Sequence, residues 1–327
     1  MTERPKVFIT RRIPQVVIDR VAEHCDVDFF DSDDVIPRDE LLRSVAGVDG
    51  VISLLTEKVD AEFLDAAGPQ LKIVANFAVG YDNIDVAACT ERGVPASNTP
   101  DVLTDTTADI AWALMMAAAR RVAEGDRFLR SREPWVWGPL MMLGMDIHGK
   151  TLGVVGFGRI GQAVAHRAKG FGMKVVYWSR SHAPHEVEED LNAEMREFHE
   201  LLAESDFISV NVALTPETRH LFGAEQFKAM KDTAILVNTA RGPVVDEAAL
   251  AAALRSGEIW GAGIDVFEKE PEVHPDLLAC ENAVIIPHLG SATVETRIAM
   301  GMKAADNLLA ALSGETPPTL INPQVWS

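Results

Sequence analysis

Residues 152–161 of the chain read LGVVGFGRIG. The apolar start of this stretch predicts a β-strand, and the glycines that follow it, Gly156, Gly158 and Gly161, lead into a predicted helix. Gly156 permits a tight turn, Gly158 lets a ligand approach the backbone, and Gly161 lets the helix pack on the strand. The amino end of the helix offers free N–H groups, which suit a phosphate. In this context the spacing favours a dinucleotide-binding turn over a glycine-rich turn that binds nothing.

Short apolar strands alternate with helical stretches along almost the whole chain. Before the glycine turn, strands are predicted at Val7–Thr10, Val27–Phe30, Gly50–Leu55, Lys72–Ala78 and Val94–Ser97. A single long helix is predicted from Asp101 to about Arg132. Strands then follow at Leu152–Val155, Lys174–Trp178, Phe207–Val212, Ala234–Asn238, Gly261–Asp265 and Ala283–Ile286. Such alternation, over 327 residues, predicts an α/β protein with two parallel-sheet domains.

The composition argues against several classes of function. Lys and Arg number 30 and Asp and Glu 49, so the net charge is −19, whereas nucleic acids and anionic membranes require a basic surface. The cysteines, Cys25, Cys89 and Cys280, form no CxxC pair, so we expect neither disulfides nor a bound metal. The longest apolar run, Ile110–Ala119, is shorter than the ~20 residues of a membrane span. With no signal peptide apparent, we expect a soluble, cytoplasmic protein.

The end of the second predicted strand of the later domain bears on cofactor choice. An acidic residue there would bond the 2′-hydroxyl of NAD and repel a 2′-phosphate. The chain instead carries Ser179, Arg180 and Ser181, and its next acidic residue is Glu186. Arg180 can pair with a phosphate while the serines donate to it. We therefore predict NADPH as the preferred cofactor and NADH as the alternative; the competing interpretation of Arg180 is a solvated surface arginine.

Three polar residues follow strands that are predicted in the later domain. They are Arg241, Glu270 and His288. Taken singly, Arg241 is most simply a loop cation, Glu270 a loop acid, and His288 a loop histidine whose hydrogen bonds are satisfied. Together they supply a group that binds a carboxylate, an imidazole acid–base and a carboxylate that can hold the imidazole. Ligands of open α/β sheets bind at the carboxyl ends of the strands, where all three are expected.

The sequence blocks around these residues resemble the D-isomer-specific 2-hydroxyacid dehydrogenase family. The shared blocks are GFGRIG at 156–161, NTARG at 238–242, GIDVFEKEP at 263–271 and PHLG at 287–290. Further blocks resemble the glyoxylate/hydroxypyruvate reductase branch, especially its prokaryotic glyoxylate reductases: KVFITR at 6–11, AVGYDNID at 78–85 and NTPDVLT at 98–104. The resemblance extends over essentially the whole chain and implies an NAD(P)-dependent enzyme that reduces small 2-oxoacids.

The resemblance also implies how the domains are arranged. Both domains would be doubly wound, with a Rossmann cofactor domain at residues 101–290 inserted in a flavodoxin-like substrate domain at residues 1–100 plus 291–327. The family is typically a homodimer, and its dimerisation arm matches residues from about 120 to 148. This arm includes the apolar segment Glu133–Met145, whose Trp and Met residues suit a buried interface better than an exposed loop.

Roles for individual residues follow from the same resemblance. Arg241 would bind the substrate carboxylate, His288 would protonate the carbonyl oxygen as hydride arrives, and Glu270 would orient the imidazole. Further substrate contacts would be made by Leu54, Val79 and Gly80. The implied cofactor contacts are Thr104, Gly156, Gly158, Arg159, Ile160, Gly161, Ser179, Arg180, Ser181, Thr239, Ala240, Asp265 and Gly290.

Other functions stay open at this point. The chain could be a phosphoglycerate dehydrogenase or a broader 2-oxoacid reductase, because the volume of the substrate pocket depends on packing that a sequence does not reveal. It could also be a binding protein that senses NADH without catalysis, although such a protein has no need of the trio Arg241, Glu270 and His288. We expect a reductase of glyoxylate, and of hydroxypyruvate as well.

Overall fold

The computed structural model describes residues 4–326. These residues form two compact units: one contains the residues up to Leu103 and those from Ala292 onward, and the other is Thr104–Ser291. The second unit therefore interrupts the first along the chain. Each unit has its own parallel sheet with helices packed on both faces, which confirms the predicted α/β fold with two doubly wound sheets.

The regular elements are as follows. The strands are β1 (Lys6–Ile9), β2 (Asp26–Phe29), β3 (Gly50–Ser53), β4 (Ile73–Asn76), β5 (Ala96–Ser97), β6 (Thr151–Val155), β7 (Lys174–Trp178), β8 (Ala193–Met195), β9 (Phe207–Val210), β10 (Ile235–Asn238), β11 (Gly261–Ile264) and β12 (Ala283–Ile285). The helices are α1 (Gln15–Ala22), α2 (Arg38–Ser44), α3 (Ala61–Ala67), α4 (Val86–Glu91), α5 (Thr104–Ala119), α6 (Val122–Arg130), α7 (Arg159–Ala168), α8 (His185–Leu191), α9 (Phe198–Glu204), α10 (Ala224–Ala229), α11 (Glu247–Ser256), α12 (Pro275–Leu278) and α13 (Val294–Ser313). No helix in this described part of the chain is long and apolar enough to cross a membrane.

The first unit contains a five-stranded parallel sheet in the order β2-β1-β3-β4-β5. Side chains of β1 alternate between the two faces, as the period of a strand requires. Val7 and Ile9 pack with α1 and α13, whereas Phe8 packs with α2, α3 and α4. Gly301 permits a close approach of α13 to α1, because a Cβ there would lie 2.5 Å from Cγ2 of Val17. Because helices cover both faces of this sheet, a ligand can reach it only at the loops that follow or precede its strands.

The second unit contains a seven-stranded parallel sheet in the order β12-β11-β10-β9-β6-β7-β8. The chain runs outward from β6 to β8 and then returns to β9 on the other side of β6. Ligands of open parallel sheets bind at such a reversal, beyond the carboxyl ends of the strands. Val154 packs with α5 and α7 on one face, and Val155 packs with α9, α10 and α11 on the other. The turn after β6 therefore lies where a ligand site is expected.

The single long helix that was predicted from Asp101 to about Arg132 is wrong, because the structure divides it into α5 and α6. The break lies at Arg121, whose φ of 53° is left-handed and cannot continue an α-helix. At the end of α5, the carbonyl of Ala119 accepts a hydrogen bond of 2.8 Å from the N–H of Met145. A contact with a segment outside the predicted helix thus accompanies the break, and no local pattern indicates it.

Candidate active site

The predicted glycine turn joins β6 to α7. Gly156 has a φ of +93°, and a Cβ there would lie 2.7 Å from the backbone that follows β9. A Cβ on Gly161 would collide with the carbonyl oxygen of Gly156. In contrast, a Cβ on Gly158 would meet nothing within 4 Å, so the space before the amino end of α7 is open. Arg159 and Ile160 begin that helix. The turn has the geometry of a phosphate cradle.

Two buried polar atoms at the carboxyl edge of the same sheet have no hydrogen-bond partner within residues 4–326. They are Oδ1 of Asn211, after β9, and Oγ1 of Thr239, after β10. A buried polar atom without a partner is costly, so a ligand with polar groups that reaches this edge would satisfy both. Thr239 is among the predicted cofactor contacts, whereas Asn211 is not. Its signal in the sequence is an amide directly after an apolar strand.

The segment predicted to contact the ribose begins directly after β7 and contains Ser179, Arg180 and Ser181. Arg180 is exposed, and the segment is anchored by the buried Tyr177. The Tyr177 hydroxyl accepts from the N–H of Ala183 at 2.9 Å and donates to Glu188 at 2.5 Å. Burial and the Glu188 carboxylate raise the pKa of Tyr177, so its hydroxyl remains a donor. The Tyr177 ring stacks on Phe157 with centroids 4.0 Å apart, which links this segment to the glycine turn.

Asp265 follows β11 and holds the turn that carries His288. Its carboxylate accepts from the N–H groups of Leu289 and Gly290, the latter at 2.8 Å. Its carbonyl accepts from the N–H of His288, also at 2.8 Å, and His288 has a left-handed φ of 53°. A Cβ on Gly290 would lie 3.0 Å from the Asp265 carboxylate. Burial raises the pKa of Asp265 above its ordinary value, against the effect of these donors. A buried acid that directly follows the neighbouring strand therefore fixes the backbone of His288.

His288 and Glu270 form a hydrogen-bonded pair. Nδ1 of His288 lies 2.8 Å from Oε2 of Glu270, and the other carboxylate oxygen accepts from the N–H of Phe267 at 3.0 Å. Burial favours the neutral carboxyl, but the hydrogen bonds from His288 and Phe267 and the charges of His288 and Arg241 outweigh it, so the pKa of Glu270 is lowered. The bond at Nδ1 fixes the ring and directs Nε2 away from this carboxylate.

Arg241 lies in the turn after β10, next to this pair. The Asn238 amide shapes the turn, because it donates to the carbonyl of Arg241 and accepts from the N–H of Ala240, both at 3.0 Å. The adjacent Gly242 is pressed against the loop after β11, where any Cβ would overlap backbone atoms. The charge of Arg241 contributes to the lowered pKa of Glu270. The structure thus brings the trio of Arg241, Glu270 and His288 together at one edge of the second sheet.

Thr104 is the first residue of α5. One helical turn further, Oγ1 of Thr107 donates to the carbonyl of Gly290 at 3.2 Å. The amino end of α5 therefore lies near Gly290, and both Thr104 and Gly290 are among the predicted cofactor contacts.

The three other predicted substrate contacts lie in the first unit, at the carboxyl edge of its sheet. Leu54 follows β3, and Val79 and Gly80 follow β4. Asparagine side chains hold these loops. Asn83 donates to the carbonyl of Leu54 at 3.0 Å, Asn98 to that of Val79 at 2.8 Å, and Asn76 to that of Gly80 at 3.0 Å. Their contact with a substrate stays a prediction.

The second unit combines a dinucleotide-type sheet with a hydrogen-bonded carboxylate–imidazole pair, which is an arrangement that suits a nicotinamide-dependent dehydrogenase. The family model described as D-isomer specific 2-hydroxyacid dehydrogenase, NAD binding domain, matches residues 112–290. A relative from Thermococcus gammatolerans, named glyoxylate reductase, is 53% identical over 327 residues, which cover 98% of this chain and 97% of that protein. The chain belongs to the D-isomer-specific 2-hydroxyacid dehydrogenase family, as its sequence blocks predicted.

Solved structures agree with this assignment over the whole chain. A glyoxylate reductase from Paecilomyes thermophila has a TM-score of 0.88 and 34% identity, and the match covers 99% of this chain and 100% of that one. The NADPH-dependent glyoxylate/hydroxypyruvate reductase from Sinorhizobium meliloti, in complex with NADP and malonate, has a TM-score of 0.83 and 34% identity. That match covers 98% of this chain and 97% of the S. meliloti chain.

The pKa of Glu270 leads to a prediction about stability. A carboxyl group whose pKa is lowered by folding stabilises the protein above its unfolded pKa of about 4.5, and this contribution disappears as the pH falls through the folded pKa. We expect the difference in unfolding free energy between the wild type and Glu270→Gln to be constant from roughly pH 5.5 to 6 and to shrink steadily below roughly pH 4.5. Denaturant unfolding at a series of pH values measures this difference. A difference that grows as the pH falls would contradict the lowered pKa.

Proposed function

We propose that this protein reduces glyoxylate, and hydroxypyruvate as well, to the 2-hydroxyacid with NADPH as the preferred reductant. The observation that carries the proposal is the 2.8 Å pairing of Glu270 with His288, at the same sheet edge as the glycine turn. Names of relatives support the choice of substrate. The T. gammatolerans protein is named glyoxylate reductase, and the S. meliloti protein is named as a glyoxylate/hydroxypyruvate reductase that depends on NADPH.

The catalytic trio divides the work of the proposed reaction. A bound reduced nicotinamide supplies the hydride. Arg241 binds the substrate carboxylate, because a guanidinium is always charged and its planar fork matches two carboxylate oxygens. Glu270 holds Nδ1 of His288 as a hydrogen-bond donor, so the proton that reaches the carbonyl oxygen comes from Nε2. A proton on oxygen and a hydride on carbon together give the 2-hydroxyacid.

The cofactor is assigned to the carboxyl edge of the second sheet. The phosphates would bind at the glycine turn, where Gly158 leaves open space and α7 begins at Arg159 and Ile160. Oγ1 of Thr239 and Oδ1 of Asn211, which have no hydrogen-bond partner among the described residues, suit the polar groups of a dinucleotide. The remaining contacts are assigned to Thr104, Ala240, Asp265 and Gly290.

Replacing His288 with Asn tests the mechanism directly. If His288 donates the proton, His288→Asn should lower kcat for glyoxylate by about 10²- to 10⁴-fold and leave NADPH affinity nearly unchanged. Steady-state kinetics and a fluorescence titration with NADPH measure the two quantities. His199→Asn, which changes an exposed histidine of α9, is the matched control and should behave as the wild type. Near-normal turnover in His288→Asn would remove this histidine from the mechanism.

The preference for NADPH is attributed to Arg180. A charge-assisted contact with the 2′-phosphate contributes roughly 1.5–3 kcal/mol, or about 10- to 150-fold in affinity. Arg180→Ala should therefore raise KM for NADPH at least several-fold and barely change KM for NADH. Arg43→Ala, at an exposed arginine of α2, is the control. Equal losses for both cofactors, or a wild-type enzyme that prefers NADH, would show that Arg180 does not select the cofactor.

We propose that the protein is a homodimer that associates through residues from about 120 to 148. Helix α6 buries none of its residues, and the segment after it exposes large apolar side chains: Val136 at 88%, Trp137 at 76% and Leu140 at 80%. Large exposed apolar surfaces of this kind are typical of protein interfaces. A second copy of the chain would cover this surface.

Sedimentation equilibrium tests the proposed dimer. The wild type should have about twice the chain mass of 35.6 kDa. Trp137→Glu should shift the population towards the monomer, because it places a charge in the apolar contact. Val35→Glu places the same charge on an exposed apolar residue of the first unit, 51% exposed, and should leave the dimer intact. A monomeric wild type would contradict the proposal.

We also propose that the protein acts on small molecules in the cytoplasm, without nucleic-acid or membrane partners. Its net charge of −19 disfavours polyanionic surfaces. Cys25, Cys89 and Cys280 are buried and free, which suits a reducing compartment.

A further inference from the structure

One buried side chain, Glu247, fastens the loop that carries Glu270 at two points. Glu247 is the first residue of α11 and is only 5% exposed. One of its carboxylate oxygens accepts from the N–H of Glu268, and the other accepts from the N–H of His274 at 2.9 Å. These two N–H groups lie on either side of Glu270 in the chain. Glu247 therefore holds both ends of the segment that contains Glu270.

Glu247 and Glu268 each accept a hydrogen bond from the other's backbone N–H. Oε1 of Glu268 accepts from the N–H of Glu247 at 3.1 Å, and Oε2 lies 2.9 Å from Nε2 of His220. Each carboxylate thus faces backbone or imidazole donors, so the two acids do not simply repel each other. Gly242 adds a steric constraint, because a Cβ there would overlap the backbone of Phe267 and Glu268. The loop after β11 has little freedom to move relative to the start of α11.

The contacts continue from Glu247 to the imidazole. Glu247 holds the N–H of Glu268, and the N–H of the preceding Phe267 donates to Oε1 of Glu270 at 3.0 Å. Oε2 of Glu270 then lies 2.8 Å from Nδ1 of His288. A shift of the backbone at Phe267 and Glu268 would therefore move the carboxylate that orients His288.

We infer that Glu247 is a positioning residue for the pair of Glu270 and His288. Its carboxylate sets the loop that aims Glu270 at Nδ1, and it thereby maintains proton delivery from His288. The inference rests on the proposed role of His288 as proton donor. A glutamine at this position would keep one acceptor oxygen but would turn an NH₂ donor towards an N–H donor. Glu247→Gln therefore removes one of the two hydrogen bonds to the N–H groups of Glu268 and His274, and it keeps the size of the side chain.

Kinetics of Glu247→Gln and Glu247→Asp test this inference. Glu247→Gln should lower kcat for glyoxylate by roughly 10- to 100-fold, since a small misplacement of a catalytic group has effects of this size. KM for NADPH should stay within about twofold of the wild type, because the glycine turn is unaltered. Glu247→Asp retains two acceptor oxygens and should recover part of the lost kcat. This split between kcat and KM separates positioning from general destabilisation.

Asp206→Asn is the matched control. The Asp206 carboxylate also accepts a backbone N–H, that of Thr151 at 2.9 Å, but at the amino edge of the same sheet. Both Asp206→Asn and Glu247→Gln should lower the melting temperature, and only Glu247→Gln should lower kcat. Wild-type kcat in a folded Glu247→Gln would overturn the inference. So would a rise in KM for NADPH that equals the fall in kcat.

Two further variants complete the test. His288→Asn and Glu270→Gln are assayed in parallel: full turnover in these would refute the proposed function itself, whereas losses there with none in Glu247→Gln would refute only the positioning role. If Glu247→Gln does not fold, Glu247→Asp decides, because its carboxylate is one methylene further from the N–H groups of Glu268 and His274. A loss of kcat of a few-fold in Glu247→Asp, with KM for NADPH unchanged, supports the inference, and wild-type kcat overturns it.

Discussion

The hydrogen bond between Glu270 and Nδ1 of His288 organises the carboxyl edge of the second sheet. A partly buried carboxylate is costly unless donors satisfy it. Burial raises the pKa of Glu270, but His288, the N–H of Phe267 and the charge of Arg241 lower it further than burial raises it. The same bond that satisfies the carboxylate also fixes the imidazole. One interaction therefore meets a requirement of stability and a requirement of acid–base chemistry.

The parallel sheet explains how residues far apart in sequence meet at this bond. β10, β11 and β12 are adjacent and parallel, so the loops after them leave from the same edge. Each loop is then held by its neighbour: Asp265 binds the turn that carries His288, and Gly242 packs against the loop that carries Glu270. The trio needs no flexible segment to assemble, since the strand order already brings its three loops together.

Much of this arrangement is predictable from sequence because local sequence patterns indicate it. Apolar runs that end at a polar residue marked the strands before Arg241, Glu270 and His288, and glycine spacing marked the turn after β6. The break at Arg121 was not predictable, since the carbonyl of Ala119 is bonded by the distant Met145. The strand β8 was not predicted either, because its residues, Ala193–Met195, form no apolar run.

Asn211 and Glu247 were missed for a similar reason. A single amide after a strand, or one acid at the start of a helix, has no distinctive pattern in the sequence. Their importance depends on what surrounds them in the fold: no described partner for Oδ1 of Asn211, and two backbone N–H groups for Glu247. Contacts between segments that are distant along the chain decide both cases.

A panel of kcat/KM values for glyoxylate, hydroxypyruvate and 3-phosphohydroxypyruvate, each with NADPH and NADH, examines the proposed activity as a whole. We expect efficient reduction of glyoxylate, turnover of hydroxypyruvate, and higher kcat/KM with NADPH than with NADH. Activity on 3-phosphohydroxypyruvate without activity on glyoxylate would contradict the proposed substrate. Tight binding of NADH without turnover of any 2-oxoacid would contradict the proposed catalysis by Arg241, Glu270 and His288.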